Sequence, residues 1–432
     1  MLLEAAKEIF HRTLLRIDAG DAVKRTVRID GRELEICDSR FAAPKLYVVA
    51  VGKAAYPMAA AFDEIAGEWI EAGVISGATR GTESSQFGPQ WKTFAGGHPL
   101  PNEDSLAAAK ASIELLGKAN EPGSVVVFLV SGGGSAMMEL PVGNISLAEL
   151  RSLNQVLVTC GAAISEINSV RRAISQVKGG GLARFAPKAK QISLIISDTS
   201  PGDITSVASG PSLPPAGDLP DADQVIDKYR LASLLPDSVT DAIEHSVRKR
   251  SPGNISDSQV HVLLDNEYMI RHAADIAGEM GFSVELDRKT EDSDIVPGCE
   301  RLIELLTQHR RSHDGPVCLI SGGEFGCKVK GSGIGGRNLE TVLRLALLAE
   351  NEGSLHHWAV LSGGTDGIDG NSPAAGAAVD ETLLANAVTA GVDAKIHLAA
   401  SDSFTFFDRL DSTIITGPTG TNVRDIRILL AN

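Results

Sequence analysis

Val125-Val126-Val127-Phe128-Leu129-Val130 runs directly into Ser131-Gly132-Gly133-Gly134-Ser135. An unbroken apolar run of this length has no alternation, so it predicts a strand covered on both faces, as in a parallel sheet flanked by helices. The glycines begin where that strand ends. A glycine-rich turn there presents backbone N–H groups without Cβ obstruction, at the edge where parallel α/β sheets bind ligands. Further runs repeat the pattern: Val317-Cys318-Leu319-Ile320 before Ser321-Gly322-Gly323-Glu324, Trp358-Ala359-Val360-Leu361 before Ser362-Gly363-Gly364-Thr365-Asp366, and Ile192 to Ile196 before Ser197-Asp198. Strands that end in small or acidic residues predict a polar, anion-handling cleft, although a single glycine turn does no more than reverse the chain.

The 432 residues suffice for two or three domains, and two are expected. Forty basic against fifty-five acidic residues give a formal charge of -15, with no Lys/Arg-rich run interleaved with aromatics, which argues against nucleic acid as partner. No apolar stretch reaches membrane-span length, and Met1 to Glu8 reads as an amphipathic helix without a basic leader region. A soluble, cytoplasmic protein is expected. Five cysteines at irregular spacing, without a C-x-x-C pair, read as reduced thiols and not as a disulfide framework or zinc site.

In chain order, Lys45 to Val51 predicts a second buried strand, followed by Gly52-Lys53 and the alanine-rich helix Ala54 to Ile65. A lysine at the start of a helix adds cation to an already positive end, which is unfavourable unless an anion binds there. His98, beside Pro99, reads as a loop residue more than as a catalyst. Ser146-Leu147-Ala148-Glu149 is a capping box. Arg171, Arg172 and Lys178 lie between two glycine-rich loops, where positive charge against a negative background fits anionic ligands. Asp198 and Asp203 follow a strand; such carboxylates hold Mg²⁺, take a proton from a hydroxyl, or cap a turn. The proline-bearing segment Pro215 to Gln259 holds the domain boundary, and the second α/β unit is expected to begin at Val260.

Cys327 to Lys330 reads as an alternating strand before Gly331-Ser332-Gly333-Ile334-Gly335-Gly336-Arg337-Asn338. These glycines match G-x-G-x-x-G, but the strand is short and charged, and Glu350 and Glu352 fall at the helix end instead of on a second strand. The better reading is a glycine loop that meets phosphate at a helix N-terminus, with Arg337 as a bidentate donor. Neither a Walker motif nor the protein-kinase signatures occur. Thr365 to Gly370 has the look of a metal-ligand run yet lacks the distal glutamate of a calcium loop. Thr416 to Asn422 reads as a tight turn followed by a helix from Val423.

Taken together, the motifs resemble the glycerate 2-kinase family, whose second half is the MOFRL domain. The matching stretches are Val51-Gly52-Lys53-Ala54, Gly97 to Pro101, Ser131 to Ala136, Val170-Arg171-Arg172 with Lys178-Gly179-Gly180, Ala208 to Pro211, Ser321 to Glu324, Gly335 to Asn338, Gly364 to Gly370 and Thr416 to Asn422, in family order. The resemblance implies an α/β protein of two domains with largely parallel sheets and an active-site cleft between them: a Rossmann-like domain over 1–240 and a MOFRL-like domain over 255–432. It implies ATP-dependent, Mg²⁺-assisted phosphorylation of D-glycerate at its 2-hydroxyl; since such a site is shared between domains and kinases commonly close to exclude water, a hinge is expected in Pro215 to Gln259. Lys53 and Arg337 are then expected to stabilise the transferred phosphoryl group, and Asp198 to orient or deprotonate the hydroxyl. The loop Ser131, Gly132, Gly133, Gly134 and Ser135 is expected to cradle phosphate or the substrate carboxylate, and Arg171, Glu324 and Asp366 to bind substrate or nucleotide. A homodimer is compatible with the sequence. One departure stands out: the family shows Ser-Asp-x-x-Gly-Asp, whereas here Gly202-Asp203 comes one residue late. The alternatives are an NAD(P)-dependent hydroxypyruvate reductase, a label relatives have carried, and a non-catalytic sugar-acid or nucleotide-binding protein.

Overall fold

In the computed structural model, which describes residues 1–42, 44–78, 86–214, 220–248, 258–353 and 355–432, the unbroken apolar runs are central strands. The chain divides into two units: Ala19–Leu263, and Met1–Asp18 together with Leu264–Asn432.

In the Ala19–Leu263 unit, β1 (Val27–Asp30), β2 (Glu33–Ile36) and β3 (Ser39–Ala42) form a small antiparallel meander. A larger sheet follows: β4 (Lys45–Val51), β5 (Ile70–Gly77), β6 (Trp91–Ala95), β7 (Ser124–Ser131), β8 (Lys190–Ile196) and β9 (Ser258–Leu264), in spatial order β6-β5-β4-β7-β8-β9. β4 pairs in parallel with β5 and β7, and β7 with β8. Every residue of β7 is buried, as are β4 and β8 beyond their first lysine, the signature of strands covered on both faces. After β4 the chain steps outward to β5; after β7 it steps the other way, to β8. The order therefore reverses between β4 and β7, which opens a crevice at their carboxyl ends. Val51 pairs with Val130, so both strands end level.

The capping box forms as read, Ser146 Oγ accepting from Glu149 N and Glu149 Oε2 from Ser146 N. It opens the helix Leu147–Thr159, which packs with Ile164–Ala173, Ala222–Lys228 and Asp237–Arg248 around Leu153, Val170, Val225 and Val239. Residues 215–219 and 249–257 of the expected hinge segment lie outside the described residues.

The other unit carries β10 (Ser283–Asp287), β11 (Val317–Gly322), β12 (Trp358–Gly364), β13 (Gly376–Asp380), β14 (Thr413–Ile414) and β15 (Asp425–Ala431), ordered β10-β11-β15-β12-β13-β14. Only β10 and β11 are parallel; the remaining pairs are antiparallel. This sheet is thus mixed, and the expectation of largely parallel sheets holds for the first unit alone. The cause is the C-terminus: the segment expected to be a helix from Val423 is the strand β15, inserted between β11 and β12 with all seven residues buried. A short run such as Ile426 to Ala431 reads equally as helix or strand, and burial on both faces decides for strand. Cys327 to Lys330, expected as a strand, is irregular.

Two assignments of chain to domain also change. β9, expected to open the second domain, lies at the edge of the first sheet. The N-terminal helix Leu2–Arg16 buries Ala6, Ile9, Phe10 and Thr13, one helical stripe, against its own unit, and the Phe10 ring lies over Gly363 at the end of β12. Phe10→Ala is expected to destabilise that unit by about 3–5 kcal/mol in urea unfolding. An unchanged midpoint would show that the helix is not part of its core.

Candidate active site

At the end of β4, Gly52 adopts φ +118°, and a Cβ there would overlap the Ser131 carbonyl. Only glycine permits this approach of the two strand ends. The contact is then fixed by hydrogen bonds: Lys53 N donates to Gly132 O at 2.9 Å and Ala54 N to Ser131 Oγ at 2.9 Å. The helix Ala55–Ala66 starts here with neither a side-chain cap nor an acidic residue in its first turn, so Lys53 stands at a positive helix end.

Around the glycine loop the expected groups converge. A Cβ on Gly132 would overlap the Asp198 carboxylate, and one on Gly133 would stand 3.2 Å from both Lys53 Cγ and His98 Cδ2. Lys53 and Asp198 are therefore packed on successive residues of one loop. Gly133 is left-handed, with φ +78°. Ser135 Oγ lies 2.9 Å from Ser209 Oγ, which donates to Asn168 Oδ1. Ala208, Ser209 and Gly210 all have positive φ, and their segment is held by Gly179 N to Ser209 O and Gly180 N to Gly210 O. Holding non-glycine residues in that region costs energy that the surrounding bonds must offset. Asp203 lies close enough to Arg172 to favour its charge.

Beside the loop lies a cavity of about 220 Å³, lined by Gly133, Ser135, His98, Arg171, Asn154 and Lys178 among others. Arg171 Nε donates to Asn154 Oδ1 at 3.0 Å. Lys178 is buried in an ion pair with Glu139, whose other oxygen accepts from Ser175 Oγ and Leu140 N. Burial pulls the Lys178 ammonium down, to about 7, and the carboxylate in contact with it opposes that shift.

In the second unit, β15 runs antiparallel to β11 and β12, so its first residue stands level with their last: Gly364 pairs with Asp425, and Gly322 with Ile426. One sheet edge thus gathers Glu324, Asp366 and Asp425. Arg337, the first residue of the helix Arg337–Asn351, donates from Nε to Asp425 at 2.6 Å and lies 2.8 Å from Glu324 through Nη2. Burial alone disfavours its charge, but Asp425 and Glu324 outweigh it and raise its pKa. The N–H groups of Asn338 and Leu339, where phosphate was the expected guest, already donate to the Asp369 carboxylate. Asp369 of the metal-like run is thus a helix cap. Asp366 accepts from Ile368 N, and its carboxylate and that of Asp425 flank Gly364. Among the described residues no group of three or more His, Cys, Asp or Glu side chains is placed to hold a metal. Mg²⁺ carried by a nucleotide needs only one or two carboxylates beside phosphates and water, and the pair beside Gly364 fits that requirement.

A switch-point crevice with a lysine, a glycine loop and a carboxylate, and a second sheet edge with a carboxylate-held arginine, define a two-unit α/β protein of the kind that handles small anions. Residues 5–244 match a domain of unknown function (DUF4147), and residues 317–425 match the MOFRL family. The chain is 34% identical to the D-glycerate 2-kinase of Thermotoga maritima over 89% of its own length and 90% of that protein. It is 34% identical to an Agrobacterium vitis protein given the provisional name hydroxypyruvate reductase, covering 89% and 98% of the two chains. A crystal structure of glycerate kinase from Thermotoga maritima superposes with a TM-score of 0.84 at 32% identity, covering 100% of this chain and 99% of that one. The chain belongs to the glycerate 2-kinase family.

The structure brings Lys53, Asp198 and Ser131 to Ser135 together in one unit and Arg337, Glu324 and Asp366 in the other. His98 reads as a loop residue more than as a catalyst, although its stretch Gly97 to Pro101 is among those that match the family, and it packs against Gly133; Glu139 was not legible, since nothing in its neighbouring sequence signals the contact with Lys178. Burial pushes the Asp369 carboxyl up to about 7, against the two N–H groups that favour its charge. A raised folded-state pKa adds stability that is full at low pH and is lost as pH rises from about 4 toward 7. Asp369→Asn is expected to flatten that decline in unfolding midpoints measured across the window; a slope equal to wild type would show that Asp369 is ionised throughout.

Proposed function

We propose that this chain is a glycerate 2-kinase, transferring the γ-phosphoryl group of ATP to the 2-hydroxyl of D-glycerate to give 2-phospho-D-glycerate and ADP. The observation that carries the reading is the packing of Lys53 and Asp198 on adjacent glycines of one switch-point loop. Relatives with kinase names that span nearly the whole chain support it. Phosphoryl transfer asks little covalent chemistry of a protein; it asks for positioning and for charge where the transition state develops it.

Each group has a part in that task. Lys53, at an uncapped helix start, places a cation where phosphoryl oxygens gain charge. Asp198, seated on Gly132, accepts the proton of the attacking hydroxyl or its hydrogen bond. Arg337 keeps its charge through Asp425 and Glu324 and presents a fixed guanidinium to phosphate oxygens. The Ser131 to Ser135 loop lets substrate approach backbone N–H groups. Asp366, with Asp425 beside it, would hold a nucleotide-bound Mg²⁺, which would supply neutralisation of phosphate charge. Catalysis in the cytoplasm fits five thiols that are all free.

Lys53→Ala is expected to lower ATP-dependent turnover of D-glycerate by orders of magnitude, read as ADP release, with the unfolding midpoint preserved; near-normal turnover would refute the assignment. Gly132→Ala should displace Asp198 and cost about 100-fold in kcat. A fully active Gly132→Ala enzyme would mean that the Asp198 position is not used.

A further inference from the structure

We propose that the 220 Å³ cavity of the Ala19–Leu263 unit is the acceptor site, taking small 2-hydroxycarboxylates, and that Arg171 is the specificity-determining residue that pairs with their carboxylate. This rests on the kinase reading and goes further by fixing which substrate, and which end of it, the cavity receives.

Three observations lead there. The first is size. An apolar cavity of about 150 Å³ holds one benzene ring, whereas sites for drug-sized ligands run from about 300 Å³ upward. At about 220 Å³ the cavity suits a three- or four-carbon acid with water.

The second is charge. Two cations line the cavity, but Lys178 is neutralised by its buried pair with Glu139. Arg171 has a neutral partner, the Asn154 amide, and among the described residues no carboxylate stands within ion-pair distance of it. One uncompensated guanidinium calls for one monoanion, and a planar fork matches a carboxylate. Its pKa is lowered by burial, a penalty that an incoming carboxylate would reverse.

The third is place. Gly133 belongs to the cavity wall and is also the loop residue against which Lys53 and His98 pack. An acid anchored at Arg171 therefore shares its cavity with the loop against which the phosphoryl-handling lysine packs. Leu150, Leu153 and Ile174 supply an apolar flank, which admits a carbon chain and offers no competing donor.

The test uses the full chain and the variants Arg171→Gln, Arg171→Lys and Asn154→Ala. Arg171→Gln should raise the KM for D-glycerate about 10- to 100-fold while the KM for ATP stays within about twofold, the loss expected for one charge-assisted contact. Asn154→Ala, which only frees the arginine to wander, should show a smaller rise in the same constant. Against D-glyceramide, the neutral analogue, wild type and Arg171→Gln should perform alike. Binding of D-glycerate without nucleotide, measured by calorimetry, should weaken in parallel. A raised KM for ATP with an unchanged KM for glycerate would assign the cavity to nucleotide and overturn the proposal, as would unchanged constants for both. Wild type that binds D-glycerate through Arg171 but never phosphorylates it would keep this inference and sink the kinase reading instead.

Discussion

Lys53 N donates to the Gly132 carbonyl only because Gly52 carries no Cβ, and the geometry around the glycine loop follows from that approach. Parallel strands of equal register bring the ends of β4 and β7 level; reversal of strand order leaves the space above them unfilled by a connection. Into that space the chain puts three glycines, so that Asp198, Lys53 and His98 pack where side chains of the loop itself would otherwise stand. The glycines act here by absence. A methyl group on Gly52 or Gly132 would push into the Ser131 carbonyl or the Asp198 carboxylate.

A different constraint governs the second unit, where charge is buried in quantity. Arg337 rests on Asp425 and Glu324, Arg424 on Asp292, and Arg427 is wholly buried with its guanidinium over the Phe325 ring and its Nη atoms on Ser321 and Gly323. Buried ion pairs are poor sources of stability, since desolvation offsets much of the Coulomb gain. What they supply is position. Arg427 ties the β11 loop that carries Glu324, and Glu324 helps to hold Arg337. Burial lowers the Arg427 pKa to about 10, with Asp425 opposing, so it stays charged at neutral pH. An arginine kept both charged and still is suited to a reaction whose barrier is mainly electrostatic.

Strand positions with their glycine endings were readable because continuous apolar runs and glycine clusters are local signals. That covers β4, β7, β8, β11 and β12, and with them most of the proposed site. Other features depend on distant partners. β15 looked helical because Ile426 to Ala431 carries no period, and only its slot between two strands decides the matter. The Leu2–Arg16 helix gave its type but not its address, which is set by the Phe10 ring finding Gly363. Asp369 resembled a metal ligand in sequence because acidic residues spaced by glycines serve both uses; the N–H groups of Asn338 and Leu339, distant in sequence, make it a cap. The G-x-G-x-x-G match belongs here too. No strand precedes Gly331 and Asp369 occupies the helix start, so the features that a dinucleotide site requires are missing, which weighs against the reductase alternative.

The central claim concerns a position on the substrate as much as a class of reaction, and product regiochemistry tests both at once. D-glycerate, ATP and Mg²⁺ are incubated with the protein, enolase is added without phosphoglycerate mutase, and phosphoenolpyruvate is followed by its absorbance. The account predicts an immediate signal, since enolase acts on 2-phosphoglycerate. ADP release without that signal would place the phosphoryl group elsewhere, and absence of ADP together with NAD(P)H oxidation on hydroxypyruvate would contradict the kinase outright.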